Sequence, residues 1–289
     1  MYETVLLPFD GSDGAAEALH HAGELAHWAD ATVQVLYVAD TARNSVTVVE
    51  GHTVDTLVRK GEDIVAEAAQ TLETLGVSCD TDVVQGNPAP TIAEYAGRYD
   101  QDLVVMPTHG RDGLSRYLAG SVSEKVVRLS PVPVLTVRMQ PDESLAFPYE
   151  SILIPTDGSD AAARAAEHTL SLAASLDATV HVLSVVDEST LGLDIGPTLS
   201  ESETKRPATE AVDAVVSNAE SHGVTETVRH VERGTPVEEI RDCVESNEIH
   251  AVGMGTTGKR GTERILLGSV AEQTVRSAPV PVLTVAQTN

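Results

Sequence analysis

Cysteine is nearly absent. Cys79 and Cys243 are the only two in 289 residues, and they occupy non-equivalent places in the two halves of the chain. That excludes a disulfide framework and a cysteine metal centre, and leaves both as small, partly buried side chains. Long apolar runs are missing as well: no stretch reaches the eighteen or so residues that a membrane span needs. The first residues, Met1-Tyr2-Glu3-Thr4-Val5-Leu6, enter a strand pattern directly, without the basic and apolar regions of a signal peptide, so a soluble cytoplasmic protein is the expectation. Basic residues are scarce, 19 Lys and Arg against 44 Asp and Glu, for a formal net charge of −25. Such a surface repels nucleic acid and anionic membrane. The acidic residues are spread along the chain rather than gathered in a tail. They read as a solvated surface suited to high salt, where screening removes self-repulsion.

Catalytic signatures are missing too. No G-K-[ST] closes a phosphate loop, G-x-G-x-x-G is absent, and there is no H-E-x-x-H. No nucleophile–base–orienter set and no paired carboxylates with an assigned task stand out.

Repetition is what the chain does have. Residues 4–13 match residues 151–160, Gly86-Asn87-Pro88 matches Gly234-Thr235-Pro236, and Pro-Val-Pro-Val-Leu-Thr-Val occurs at both 131–137 and 279–285. The offset of about 148 residues is domain-sized, so this is one domain duplicated once rather than a solenoid. Apolar residues make up 42%, enough for a core in each half. The expected division is a first domain over 1–138, a linker over 139–149 that carries Pro141 and Pro148, and a second domain over 150–289.

Within the first half, a near-continuous apolar run at 4–7 reads as a strand buried on both faces, and 33–38, 78–84, 103–106 and 132–137 read as the second to fifth strands. Helical spacing fills 15–29, about 55–75, the stretch through Ile92 and Tyr95, and 121–129. Asn87 with Pro88, and Thr235 with Pro236, read as an N-cap followed by proline at the first helical position. Strand and helix alternating five times imply a parallel sheet with helices on both faces. Ligands of such sheets sit outside the carboxyl ends of the strands, where the strand order reverses. The two halves differ most after the second strand, where residues 187–207 are long and polar. That segment could form a lid or be a surface insertion without a function.

The stretch with most chemical content is Met254-Gly255-Thr256-Thr257-Gly258, nine residues, then Gly268-Ser269-Val270-Ala271-Glu272. A glycine-rich turn leaves a strand end and feeds a helix N-terminus, an arrangement that offers backbone N–H groups and the positive end of a helix dipole to an anion. Gly255-x2-Gly258-x9-Gly268-Ser269, together with Pro155-Thr156-Asp157 at an earlier strand end, resembles the nucleotide-binding pattern of the universal stress protein family, and the repeat extends the resemblance over both halves. The resemblance implies two tandem flavodoxin- or Rossmann-like α/β domains, each a five-stranded parallel sheet of order 3-2-1-4-5. It also implies an ATP ligand, with Mg²⁺ or Mn²⁺ a plausible bridge between phosphates. With the acidic composition it suggests a haloarchaeal member.

On that resemblance Pro155, Thr156, Asp157, Val185 and Met254 would meet the nucleoside, and Gly255, Gly258, Gly268, Ser269 and Val270 the phosphates. The same residues admit plainer readings. Asp157 also fits a local turn or cap in Asp-Gly-Ser-Asp. Ser269 with Glu272, and Ser121 with Glu124, fit a capping box with serine as N-cap. Lys259 and Arg260 could screen phosphate charge or be solvated loop cations.

The matching positions of the first half are Pro8, Asp10, Val38, Met106, Gly110, Gly120, Ser121 and Val122. Two departures weaken that site. Pro107 replaces Gly255, which matters if an N–H or a positive φ is needed there. Phe9 replaces Thr156, putting a ring where a hydroxyl stands, either to stack on a base or to fill the pocket. His109 has Thr257 as its counterpart, so no chemistry shared by both halves depends on an imidazole.

The reading that results is an ATP-binding stress-response regulator that binds chiefly through its second domain and hydrolyses ATP slowly at most. Its alternatives are a non-nucleotide adaptor and a weak ATPase. The resemblance further implies pairing through the last strand of each half as an intramolecular pseudo-dimer, with a homodimer of chains and an unidentified protein partner beyond it.

Overall fold

The computed structural model describes residues 1–40, 46–49, 52–108, 122–138, 145–187, 201–257 and 267–286. The chain divides into two compact units, Tyr2–Glu143 and Ser144–Asn289.

In the first unit β1 (Thr4–Pro8), α1 (Asp13–Ala29) and β2 (Thr32–Asp40) are followed by β3 (Val46–Val49), β4 (His52–Asp55), α2 (Thr56–Thr74), β5 (Cys79–Gly86), α3 (Pro88–Arg98), β6 (Leu103–Pro107), α4 (Val122–Leu129) and β7 (Val134–Val137). The second unit contains β8 (Ser151–Pro155), α5 (Asp160–Leu176), β9 (Thr179–Asp187), α6 (Glu201–His222), β10 (Thr227–Gly234), α7 (Pro236–Ser246), β11 (Ala251–Gly255), α8 (Ser269–Ser277) and β12 (Val282–Val285).

The first unit's sheet runs β5-β2-β1-β6-β7 and the second's β10-β9-β8-β11-β12, parallel throughout. In each unit this is the expected order 3-2-1-4-5, with the first and fourth strands adjacent. Helices cover both faces. In the second unit α5 and α6 pack on one side, and α7 and α8 on the other.

Local sequence explains the elements. β1 and β8 are apolar because both of their faces are covered. α1 and α5 start at serine N-caps, Ser12 and Ser159, whose hydroxyls accept from the N–H of Ala15 and Ala162 at 3.2 Å. Both helices stop at an aspartate in the left-handed region, Asp30 (φ 53°) and Asp177 (φ 54°). A short polar side chain tolerates that conformation better than a bulky one.

Alanines on the buried side of α5 let it lie close to the sheet. Gly253 in β11 completes the fit, since a Cβ there would come within 2.1 Å of the Thr169 hydroxyl. The first unit has Val105 and Ala22 at these two positions. Volume has moved from the helix to the strand, which preserves packing density between them.

Two details differ from the sequence reading. The polar stretch after β2 contains a two-stranded antiparallel sheet, β3 with β4. The pattern Val-Thr-Val-Val, two residues including Gly51, then His-Thr-Val-Asp carries that signal. The segment 187–207 is not all loop: Asp187 ends β9 and α6 begins at Glu201, with Pro207 inside the helix. Residues 188–200, the remainder of the suggested lid, lie outside the described residues.

Candidate functional site

The second unit's site begins at the paired ends of β8 and β11, held in register by Ile152 against Ala251 and Leu153 against Val252. Pro155 closes β8. The Thr156 N–H then donates to the Leu183 carbonyl of β9 at 2.8 Å, so the turn stays attached to the sheet after the strand ends.

Residues 156–159 form a hydrogen-bonded turn. The Gly158 N–H donates to Thr156 Oγ1 at 3.1 Å and the Ser159 N–H to Asp157 Oδ1 at 3.0 Å, while Gly158 takes φ 71°. Asp157 is exposed at the crevice edge, and one of its oxygens serves the turn, as the plainer reading has it. Thr156 is buried, so its hydroxyl is a structural acceptor.

Gly255 ends β11, and the Thr256 N–H after it donates to the Val285 carbonyl at 3.2 Å. Gly255 is not in the left-handed region. Its requirement is room: a Cβ would stand 2.8 Å from the Ala161 carbonyl oxygen and 3.2 Å from the Ala162 nitrogen, both backbone of the first turn of α5. Of the two conditions under which Pro107 would matter at the matching place, a need for positive φ is therefore not met.

The far end of the loop returns to its beginning, because the Gly268 N–H donates to the Thr256 carbonyl at 2.7 Å. This bond fixes the start of α8 and overturns the capping-box reading. Gly268, extended at φ −63° and ψ 143°, is the N-cap, no side chain caps the helix, and Ser269 is the first helical residue. Glu272 does not reach back. It sits one turn in, where the Arg276 guanidinium donates to it at 2.6 Å. Among the described residues, the leading N–H groups of α8 are therefore left without a side-chain acceptor, beside an exposed Ser269 hydroxyl.

An apolar floor adjoins this helix start. Met254 is buried in a cluster with Leu153, Leu183 and Ala271, against which half-buried Val185, Leu267 and Val270 pack. The structure thus brings Val185, Met254 and Val270 onto one face of the sheet, next to Gly268 and Ser269. Thr256 and Leu267 belong to the same place. Sequence reasoning assigned them no role, although Thr256 lies inside the quoted motif. Gly258, Lys259 and Arg260 lie outside the described residues.

In the first unit the turn is repeated: the Ser12 N–H donates to Asp10 Oδ1 at 3.0 Å and Gly11 takes φ 72°. Pro8 and Met106 are buried, and Val38 is half-buried. Val122, the first residue of α4, is 39% exposed. Phe9 is buried, so its ring is a packing group and not an open stacking surface. Pro107 is buried at the end of β6, where its carbonyl accepts from Ser123 Oγ at 2.7 Å. His109, Gly110, Gly120 and Ser121 lie outside the described residues. Among the described residues no three His, Cys, Asp or Glu side chains gather as a metal site, and no helix is long and apolar enough to cross a membrane.

A universal stress protein of Methanocaldococcus jannaschii is 42% identical over 140 residues, 47% of this chain and 82% of the relative. The solved structure of a universal stress protein from Archaeoglobus fulgidus aligns over 99% of this chain and 98% of its own, at 24% identity and a TM-score of 0.76. A solved universal stress protein in complex with cAMP aligns over 48% of this chain and 97% of its own, at 22% identity and a TM-score of 0.38. The family model described as the universal stress protein family matches residues 1–138 and again 148–286. The chain is a tandem member of the universal stress protein family.

Proposed function

We propose that the chain binds ATP, chiefly in its second unit, and acts as a stress-response regulator rather than as an enzyme. The observation that carries this reading is the start of α8. Among the described residues, a glycine N-cap tied to Thr256 leaves that helix without a side-chain cap, directly beside the apolar surface of Val185 and Met254. A nucleotide needs both features, N–H groups and a positive dipole end for phosphate and an apolar surface for the base. Pro155, Thr156, Asp157, Val185 and Met254 would border the nucleoside, and Gly255, Gly258, Gly268, Ser269 and Val270 the phosphates. A divalent cation, Mg²⁺ or Mn²⁺, would be held by the phosphates, since no cluster of protein ligands is present among the described residues.

In the first unit the corresponding set is Pro8, Asp10, Val38, Met106, Gly110, Gly120, Ser121 and Val122. Pro107 supplies no N–H, so that site is the weaker one. The reading includes domains over 1–138 and 150–289, pairing of the two through their last strands, and a cytoplasmic location. ATP would act by population shift, changing a surface presented to a partner protein.

Calorimetry of the full chain with ATP and Mg²⁺, after extraction of carried-over nucleotide, tests this. A stoichiometry near one, lost in Gly268→Val, is the expected result. A stoichiometry near two would make the first unit a working site. No binding and no carried-over nucleotide would leave the glycine loops as structure and the chain as an adaptor. ATP turnover abolished by Gly268→Val would instead point to a slow ATPase.

A further inference from the structure

Away from the crevice, the second unit holds a pair of histidines on neighbouring strands. His181 in β9 and His230 in β10 are offset diagonally, since His230 stands opposite Leu183. Leu183 and Val185 belong to the apolar cluster under α7 and α8, so both imidazoles lie on that face of the sheet. His181 Nδ1 and His230 Nε2 are 3.0 Å apart. The ring planes differ by 11° and the centroids are 5.3 Å apart. The centroid separation exceeds the N···N distance by only two ring radii. The rings therefore meet edge to edge in nearly one plane, joined by a single N–H···N hydrogen bond.

We propose that His181 Nδ1 and His230 Nε2 form a cross-strand two-histidine site for a borderline transition-metal dication such as Zn²⁺, with water filling the remaining positions. Imidazole nitrogen is a preferred donor for ions of this class. Two Zn–N bonds at a tetrahedral angle place their nitrogens about 3.3 Å apart, so the nitrogens need to part by only a few tenths of an ångström, while each ring swings by about 35° to turn its lone pair from the other nitrogen toward the ion. Both rings are held toward the neutral, lone-pair form, mainly by burial. The shared hydrogen passes to the remote nitrogen of its own ring by tautomerisation, so the neutral pair releases no proton on binding.

Three further observations favour a ligand over a purely structural pair. The fold does not require histidine at these positions, because the first unit carries Gln34 and Asp82 there. Asp82 accepts from the Tyr95 hydroxyl at 3.1 Å, and the counterpart of Tyr95 is the shorter Cys243. β10 has a neighbour on one side only in its unit's sheet, and His230 is half-buried, which gives an ion a way in. Glu226 and Glu232 act electrostatically on His181 and His230 respectively, and both favour a cation. No third side chain converges among the described residues, so the site is bidentate and weaker than a four-ligand structural zinc site.

The test is Zn²⁺ titration calorimetry on the chelator-stripped full chain at about pH 7.5, where neutral imidazole predominates, in about 1 M KCl to screen the acidic surface. One Zn²⁺ per chain is expected, with Mg²⁺ failing to compete. His181→Gln, which installs the first unit's own residue, and His230→Gln should each weaken Zn²⁺ binding by about tenfold or more, while the metal-free variants still unfold cooperatively. A second readout needs no variant: side-chain ¹⁵N spectra of the wild type should show Zn²⁺ fixing His181 as the Nδ1-bound form and His230 as the Nε2-bound form. Absence of binding, or binding that both variants leave unchanged with neither imidazole shifted, would overturn the site and leave the pair as a hydrogen bond.

Discussion

At the residue scale, glycine in β11 is decided by contacts with α5 rather than by backbone torsion. A Cβ on Gly255 meets main-chain atoms, which cannot rotate away. Gly255→Ala should therefore destabilise the second unit by about 1–3 kcal/mol, the usual cost of overpacking, and weaken ATP binding in step. Denaturant unfolding followed on the same sample as calorimetry would show both. Gly253 meets a side chain instead, Thr169, so its cost can be relieved. Gly253→Val alone should cost about 1–3 kcal/mol. Adding Thr169→Ala, which reproduces Val105 with Ala22, should return most of it. A double-mutant cycle with no coupling would show that the two residues do not share one space.

At the scale of elements, β9, β10 and α5 carry a pH dependence. Burial lowers the pKa of His168, His181 and His230 below the ordinary 6.5, and the His181 value is lowered further by His230 while Glu226 opposes the shift. A histidine whose folded pKa is depressed is protonated first in the unfolded chain. The unfolded state then binds more protons, and stability rises with pH through that window. The second unit should be fully stabilised above about pH 6.5 and lose stability as pH falls below it. Urea unfolding of the metal-free chain at two pH values would measure this, and His181→Gln should flatten the slope. In the first unit the matching positions carry Gln34 and Asp82, and a glutamine adds no such term. α8 shows a different element-scale effect. Among the described residues no side chain caps its first turn, so ATP should protect the amides of residues 269–271 from hydrogen exchange more than those of α7.

At the scale of the whole molecule, charge dominates. A net charge of −25 is weakly offset by exposed ion pairs such as Arg206 with Glu210 and Arg229 with Asp213, which contribute little individually. Self-repulsion should then be relieved by salt, and the melting temperature should rise between about 0.1 and 2 M KCl as the Debye length contracts. A flat salt profile would show that the acidic residues are already well solvated and do not constrain folding.

The sequence by itself determined the duplication, the alternation of strand and helix, and the family, because all three are written in local patterns: repeats at one offset, buried apolar runs, and glycines at fixed spacing. By resemblance it assigned Val185 and Met254 to a nucleoside and Val270 to phosphates; the structure buries Met254 in the apolar cluster and packs Val185 and Val270 against it. It missed the β3–β4 pair, where a short hairpin pattern was hidden in a polar stretch. Other features only the tertiary structure decided. Ser269 lost the N-cap position because the Gly268 N–H finds the Thr256 carbonyl across the loop. Gly255 is required by the approach of α5, an element about ninety residues earlier in the chain. His181 and His230 meet because parallel pairing brings β10 beside β9 with a diagonal offset. In each case the deciding contact joins atoms distant along the chain, and a local pattern holds no record of which backbone will arrive there.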